Sequence, residues 1–197
     1  MTRVTTALLV EPHQRRWTRE EYYRMGELGL FRGQRVELID GAVMVLSPQG
    51  PSHATSVERV RKALEASLGA GVWVRTQLPV DFGTHSEPEP DISVVSGSLE
   101  DYTSAHPVTA LLIVEVSDTT LSYDRNNKAS LYAHAGITDY WIVNLVNRQL
   151  EIRRQPVVNP NTVHGFDSAE ITILRGGDTV SPLCRPQTQL SIAELLP

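Results

Sequence analysis

The sequence predicts an α/β or α+β fold in which helices flank a central mixed β-sheet. Strand-like apolar runs alternate along the chain with segments of helical periodicity. The chain has 197 residues, 41% of them hydrophobic, which is enough for one sizeable core. Its one cysteine, Cys184, excludes an internal disulfide framework and a zinc site built on several thiolates. We therefore predict one domain over residues 1–197, with its core at about 18–153 and a strand and helix extension over 154–197.

Charge and hydropathy exclude several classes of protein. The formal net charge of −5 argues against a protein that coats nucleic acid by bulk electrostatics, although it leaves room for a local basic face. The longest apolar runs are far shorter than the roughly 20 residues of a membrane-spanning helix. Residues 1–10 contain too short an apolar stretch for a secretory signal. We therefore expect a cytoplasmic protein that does not bind membranes.

The first segments predict a helix followed by a hairpin. Thr18 and Glu21 have the three-residue spacing of a capping box and open a helix that ends near Leu30. Strand-like runs over 35–39 and 43–47 follow. An Asp-Gly pair between these runs tolerates the positive φ angles of a type I′ turn, so we predict a β-hairpin.

A second amphipathic helix and a series of strands make up the rest of the predicted fold. Ser52 caps this helix, which covers 53–68 and places its apolar residues on one face at spacings of three and four. Pro79 marks a bulge or an edge in the strand that follows. The remaining patterns predict strands over 72–82, 91–95, 111–116, 140–145, 149–153 and 171–174, and helices over 124–135 and 192–196.

Three acidic residues, Glu37, Asp91 and Glu115, lie at or within the predicted strands. Glu115 follows the apolar run 111–114, where burial of an uncompensated carboxylate would cost several kcal/mol. Asp91 opens a neighbouring strand and could reach the same point. Because Mg²⁺ and Mn²⁺ prefer hard oxygen ligands, the pattern favours a divalent metal site.

Lys128 adds a positive charge to this set. The predicted helix over 124–135 places Lys128 on the same face as Leu131 and Ala135, which should pack on the sheet. The ammonium group would then point towards the acidic residues. A lysine in that position could orient a water molecule and stabilise the charge that builds up on phosphorus in a transition state.

Each of these residues also has a purely structural interpretation. Glu37 could be solvated on the outer face of the hairpin, and Asp91 could cap the turn after Pro90. Glu115 and Lys128 could form a buried ion pair without a metal. His53 is more simply a helix-start residue than a ligand. The set, in this order along the chain, is therefore stronger than any one signal.

Several short segments carry a combined pattern over residues 18–153. They are Val36–Gly41, Ser52–His53, Glu89–Ile92, Leu112–Asp118, Asp124–Lys128 with Tyr132, and Gly136–Val143. This combination resembles the Uma-type restriction endonucleases of the PD-(D/E)XK nuclease superfamily. The resemblance implies a restriction-endonuclease-like central mixed β-sheet flanked by helices, with an N-terminal helix and a β-hairpin.

The resemblance also implies a metal-dependent endonuclease that hydrolyses DNA phosphodiester bonds with Mg²⁺ or Mn²⁺. Asp91 and Glu115 then correspond to metal ligands, and Glu37 to a further ligand. The superfamily places its lysine two positions after the glutamate, where this chain has Ser117. The candidate catalytic lysine is therefore Lys128 on the next helix. Supporting roles are assigned to Gln77, Tyr132, His53 and Asp124.

DNA is the partner that the resemblance implies. We expect a homodimer, because one small nuclease domain cuts one strand at a time. Arg59, Arg61 and Lys62 on the second helix could contact DNA, although a solvated helix face explains them equally well. Two alternatives stay open. One is a catalytically inactive dimerising or DNA-associated module of the same fold, and the other is a metal hydrolase that acts on a small phosphoester.

Overall fold

Ten strands form the sheets of residues 14–197, the part of the chain that the computed structural model describes. They are β1 (Val36–Ile39), β2 (Ala42–Val45), β3 (Val72–Thr76), β4 (Ile92–Ser96), β5 (Leu112–Ser117), β6 (Asp139–Asn144), β7 (Gln149–Val158), β8 (Phe166–Arg175), β9 (Thr179–Val180) and β10 (Leu190–Ser191). A six-stranded sheet has the order β3-β4-β5-β6-β7-β8. Its neighbouring strands are antiparallel except for β5 and β6. β1 pairs with β2 and β9 with β10 in two small sheets.

Helical segments connect and cover these strands. They are α1 (Arg19–Glu27), α2 (Pro51–Leu68), a 3-10 turn (Leu99–Tyr102), α3 (Leu121–Tyr123), a π-helical turn (Asp124–Lys128), α4 (Ala129–His134) and α5 (Ile192–Leu195). The crossover from β5 to its parallel neighbour β6 passes through α3, the π-helical turn and α4. The predicted fold class, a mixed sheet flanked by helices, is confirmed.

Two hydrophobic clusters make up the core. One joins α2 and α5 to the large sheet, and the other joins the sheet to α4. The apolar positions of α2 that are buried follow the predicted spacing: Val57, Val60, Leu64 and Leu68. Full burial of one such aliphatic side chain stabilises the fold by about 1.5–3 kcal/mol. β5 is buried along its whole length, as predicted for a central strand.

The predicted N-terminal helix and hairpin are confirmed with small changes of length. Thr18 caps α1 and forms the predicted capping box with Glu21. The helix ends before Leu30. Asp40 and Gly41 have positive φ angles of 49° and 78°, as a type I′ turn requires.

The N-terminus of α2 differs from the prediction. Ser52 is not the cap, because the helix begins at Pro51 and Gly50 is the N-cap residue. Proline suits the first helical turn, since the backbone N–H that it lacks would have no intrahelical partner there. The first turn contains no acidic side chain.

The long strand predicted over 72–82 is wrong in its second half. β3 ends at Thr76, because Gln77 has a φ angle of 52° that turns the chain out of the sheet. The Gln77 N–H instead donates to the carbonyls of Pro90 and Asp91, both at 3.2 Å. This turn brings the Gln77 side chain to the start of β4.

The helix predicted over 124–135 is confirmed as a helical segment, but it begins earlier and is not regular. α3 precedes it, and its first part is a π-helical turn that leads into α4. A π-helical turn bonds residue i to i+5, and such turns occur frequently at functional sites. Asp124 and Lys128 stand at the two ends of this turn, and both are buried.

The prediction for the C-terminal extension is wrong in one respect. The strands predicted over 149–153 and 171–174 are present but longer, because β7 and β8 form a hairpin of two ten-residue strands. β8 lacks a clean alternation of buried and exposed residues, so its sequence carries only a weak strand pattern. The predicted terminal helix is confirmed as α5.

Within residues 14–197, no helix is both long enough and apolar enough to cross a membrane. The longest helix of that part, α2, has 18 residues and buries only one face. The prediction about a secretory signal in residues 1–10 lies outside the described residues.

Candidate active site

Asp91 and Glu115 meet across two neighbouring strands. Asp91 directly precedes β4, and Glu115 lies within β5. These strands are antiparallel with Ile92 opposite Val114, so Asp91 falls beside Glu115. The Val116 N–H donates to Asp91 Oδ2 at 2.9 Å, and the Asp91 N–H donates to Glu115 Oε2 at 3.4 Å. The sheet therefore brings the two carboxylates together near one end of the paired strands β4 and β5.

Lys128 reaches the same carboxylates from the π-helical turn. Its Nζ donates to Glu115 Oε1 at 2.9 Å and lies 3.6 Å from Glu37 Oε1. Only 6% of Lys128 is exposed. Burial disfavours its charge, but the carboxylates of Glu115, Glu37 and Asp124 outweigh burial and raise the pKa of Lys128 well above its usual value. Lys128 is therefore a buried cation at neutral pH.

Glu37, from the N-terminal hairpin, joins Asp91 and Glu115 in an acidic cluster around Lys128. All four residues of β1 are buried, and Glu37 is 1% exposed. The interpretation of Glu37 as a solvated residue is therefore wrong. Its Oε2 accepts a hydrogen bond from the Glu89 N–H at 3.0 Å. Its Oε1 has no hydrogen-bond partner within the described residues and faces Lys128.

Two side chains from outside β4 and β5 hold Asp91. Gln77 Nε2 donates to Asp91 Oδ1 at 3.1 Å, and His53 Nε2, from the first turn of α2, lies 3.1 Å from Asp91 Oδ2. Burial raises the pKa of Asp91, but the His53 contact and the Val116 N–H lower it by more, so the net pKa is below its usual value. Asp91 is therefore an oriented, ionised carboxylate at neutral pH.

Tyr132 holds Glu115. The Tyr132 hydroxyl donates to Glu115 Oε1 at 2.5 Å, beside Lys128. Burial is the largest cause that raises the pKa of Glu115 above its usual value, and the Lys128 charge at 2.9 Å opposes this shift and favours the carboxylate. Burial and Glu115 also raise the pKa of Tyr132 well above its usual value. The Tyr132 hydroxyl therefore keeps its proton and acts as a donor.

Asp124 fastens the π-helical turn to the sheet. Its Oδ2 accepts hydrogen bonds from Ser117 Oγ and Thr120 Oγ1, both at 2.7 Å. The Tyr140 hydroxyl donates to the Asp124 carbonyl at 3.0 Å. Ser117, which stands where the superfamily places its lysine, thus holds the element that carries Lys128. Sequence reasoning identified Asp124 but not this bridge.

A second anchor of the turn was missed by sequence reasoning. Arg125 donates to both carboxylate oxygens of Glu151 on β7, and Asn144 and Gln149 donate to the same carboxylate. Burial raises the pKa of Glu151, but these donors lower it to about 2. The available signal was a glutamate at the centre of a predicted strand.

A cavity of about 280 Å³ opens onto the acidic cluster. Its lining includes Glu37, Asp91, Glu115, Asp124 and Lys128. Arg35 and Gln49, both exposed, also line it, so the cavity meets solvent. Arg35 pairs with Glu89 at 3.1 Å on this rim and was not singled out from the sequence. The site is therefore polar and open on one side.

The three predicted carboxylate ligands, Glu37, Asp91 and Glu115, line one cavity but do not form a preformed metal site. Within residues 14–197, no group of three or more His, Cys, Asp or Glu side chains is placed to hold a metal. The Lys128 ammonium lies against both Glu37 and Glu115. Each carboxylate oxygen can accept about two hydrogen bonds. Within residues 14–197, Asp91 Oδ1 and Glu115 Oε2 each accept only one, so each can accept a further bond.

The three basic residues predicted on α2 lie away from the cavity. Arg61 pairs with Glu58 and Glu65 on its own helix. Arg59 donates to the Leu196 carbonyl at 3.4 Å. Lys62 is exposed, and none of the three lines the cavity. A role of these residues in DNA binding stays a prediction.

Comparisons with known proteins agree with the fold. Residues 19–193 match the family described as "Uma2: Putative restriction endonuclease". A crystal structure described as a putative nuclease belonging to DUF820, from Anabaena variabilis, has the same fold with a TM-score of 0.62 and 17% identity, over 82% of this chain and 89% of that chain. No curated protein matches the chain significantly. Because the family match spans most of the chain, the protein belongs to the Uma2 family of putative restriction endonucleases.

Proposed function

We propose that the protein is a divalent-metal-dependent endonuclease that hydrolyses phosphodiester bonds in DNA. One observation carries the proposal: three residues from separate elements, Asp91, Glu115 and Lys128, line one cavity. Glu115 is hydrogen-bonded to each of the other two. Two oriented carboxylates and a cation are the groups that phosphodiester hydrolysis needs. Membership of the Uma2 family supports a nuclease.

Asp91 and Glu115 would hold the ion, Mg²⁺ or Mn²⁺. A divalent ion bound there would neutralise a phosphate and lower the pKa of water. Glu37 Oε1, which has no hydrogen-bond donor among residues 14–197, could accept a hydrogen bond from a water molecule in the cavity. Gln77 and His53 already fix the orientation of Asp91, so little reorganisation would be needed on binding.

Lys128 would stabilise the negative charge of the phosphate oxygens as water attacks phosphorus and the bond to the 3′ oxygen breaks. Because the surrounding carboxylates raise its pKa, Lys128 acts as a cation and donor and not as a general base. Its donor hydrogens are shared with Glu115 in the resting site. Arg35 on the rim, which pairs with Glu89 in the resting site, would contact a neighbouring phosphate of the DNA strand.

The test is cleavage of supercoiled plasmid and single-stranded DNA in Mg²⁺, in Mn²⁺ and in EDTA. The folded protein should nick or cut DNA only with a divalent ion. Glu115→Ala should be inactive, whereas Glu27→Ala, an exposed residue at the end of α1, should behave as the wild type. A bis-(p-nitrophenyl) phosphate assay runs in parallel.

Each other outcome favours a different reading of the site. No cleavage by folded protein with either ion contradicts the nuclease and favours the inactive DNA-associated module. Hydrolysis of the small diester without cleavage of DNA contradicts the nuclease and favours the small-phosphoester hydrolase. A homodimer, which would supply one site for each strand of DNA, belongs to the proposal as well.

A further inference from the structure

The outer edge of β8 has no partner strand within residues 14–197. β8 is the last strand of the large sheet and pairs there only with β7. It spans ten residues, Phe166–Arg175, and contains no proline. An edge of this length presents a row of backbone donors and acceptors that pairs readily with another strand. The edge is therefore a candidate interface.

One face of β8 has an apolar centre between opposite charges. Ile171 and Ile173 are 51% and 47% exposed, although both are large aliphatic residues. Side chains alternate between the faces of a strand, so Asp167, Ala169 and Arg175 lie on the same face as these two residues. In order along the strand, this face carries an acid, three apolar side chains and a base.

We propose that β8 pairs with β8 of a second copy of this chain, antiparallel, about a two-fold axis at Ile171. Two-fold symmetric pairing is the commonest way in which identical chains associate. The pairing would join two six-stranded sheets into one continuous sheet. It deepens the proposed function, on whose homodimer it rests, by naming the interface between the two copies.

The charges of β8 select this register. In an antiparallel pair, residues that lie opposite each other have their side chains on the same face of the sheet. When two copies of β8 pair about a two-fold axis normal to the sheet, one residue must therefore lie opposite its own copy, and the axis passes between these two. Axes at Glu170 and at Ile171 give the longest pairing, in which all but one of the ten residues lie opposite a β8 residue of the other copy. An axis at Glu170 sets that carboxylate against its own copy, which is destabilising. The axis at Ile171 sets Asp167 of each copy, which lies 3.7 Å from Arg153 of its own chain, opposite Arg175 of the other.

The chosen register also brings the apolar residues together. Ile171 faces its own copy at the axis, and Ala169 faces Ile173 on either side of it. On the opposite face, Glu170 meets Thr172 and Ser168 meets Leu174, with no like charges opposed. Cross-strand apolar and opposite-charge pairs each contribute about 0.2–1 kcal/mol. The face with Ile171 therefore has attractive pairs along its length, and the opposite face has no like-charged pair.

Site-specific cross-linking tests both the partner and the register. Cys184 is the one cysteine of the chain, so Cys184→Ser provides a background without thiols. Ile171→Cys in that background should form a disulfide-linked dimer under mild oxidation, because residues opposite each other have Cα atoms about 4.5–5.5 Å apart, as a disulfide requires. The product is detected on a non-reducing gel.

Ala169→Cys in the same background is the matched control. Its two copies would lie four residues apart along the strands, roughly 13 Å, which is too far for a disulfide. Both positions are exposed, and unchanged thermal melting verifies that both variants fold. Wild-type protein at tens of micromolar should also sediment as a dimer.

Two results would overturn the proposal. One is a wild-type protein that sediments as a monomer and an Ile171→Cys variant that does not cross-link. The other is equal cross-linking at both positions, which would indicate random collision and not the proposed register. Because no DNA is present in these experiments, their outcome is independent of nuclease activity.

Discussion

Lys128 Nζ and Glu115 Oε1 lie 2.9 Å apart, although the two residues are 13 positions apart in the chain. Glu115 belongs to a strand that is buried along its whole length, and Lys128 closes a π-helical turn. Both residues are buried. The pair therefore links the central strand of the sheet to the crossover that follows it.

Lys128→Met should impair both activity and stability. It keeps most of the side-chain length but leaves Glu37 and Glu115 without their cation, so we expect unfolding to require about 3 kcal/mol less. DNA cleavage should fall by about 100-fold or more, because a positioned charge is lost. Urea melts and plasmid cleavage measure the two effects. Lys62→Met, an exposed position on α2, is the control, and equal losses in both variants would contradict the assigned role.

Tyr132→Phe should have a small effect on stability and a larger one on activity. The variant removes one hydroxyl that donates to Glu115 and leaves the ring in place. We expect a stability loss of about 1 kcal/mol. The pH profile of cleavage should also move to higher pH, because Glu115 loses a donor to its charged form and its pKa rises. Tyr102→Phe, whose hydroxyl donates to the Ser96 carbonyl, is the control and should leave the pH profile of cleavage unchanged.

Substitutions of Gln77 can separate the effect of its backbone conformation on stability from the effect of its side chain on cleavage. Gln77→Gly should be more stable than Gln77→Ala by about 1 kcal/mol, because glycine tolerates the positive φ angle at this position. Both variants lose the hydrogen bond to Asp91, so both should lose cleavage by roughly tenfold. Full activity in Gln77→Gly would show that the side chain does not position Asp91.

Glu151 should make stability depend on acid pH. Its pKa in the folded protein is about 2, below the usual value of 4.5. Its stabilising contribution is therefore complete above about pH 4.5 and is lost as pH falls towards 2. We expect about 2 kcal/mol, since Arg125 is one-third exposed and solvent screens the pair.

Urea midpoints between pH 2.5 and 6 measure this contribution. Glu151→Gln should flatten the acid limb of the curve, whereas Glu27→Gln on the surface should follow the wild type. An unchanged acid limb in Glu151→Gln would contradict the role of Glu151 as an ionised anchor of the π-helical turn.

The carboxylates of the site could be located from the sequence because each has a fixed place relative to an apolar segment. Glu115 stands in a buried strand, Asp91 directly precedes the next one, and Glu37 lies in a hairpin strand set by an Asp-Gly turn. Strand pairing then determines the proximity of Asp91 and Glu115. The inward direction of Lys128 followed from helical spacing to Leu131, and both residues are indeed buried.

Other features depend on contacts that no local pattern encodes. The π-helical turn is held by Ser117 and Glu151, which lie on different strands, so a regular helix was the natural prediction. Gln77 leaves the sheet because its side chain and backbone bond to the segment before β4. β8 was underestimated because both of its faces contain exposed residues.

Isothermal titration calorimetry with Mn²⁺ tests most directly the central claim, that Asp91 and Glu115 hold a divalent ion. The account predicts saturable binding to the wild type and its loss in Asp91→Asn and in Glu115→Gln. Glu27→Gln should bind as the wild type does. Absence of Mn²⁺ binding by folded wild-type protein, or binding that both site variants retain, would contradict the assignment of these two carboxylates.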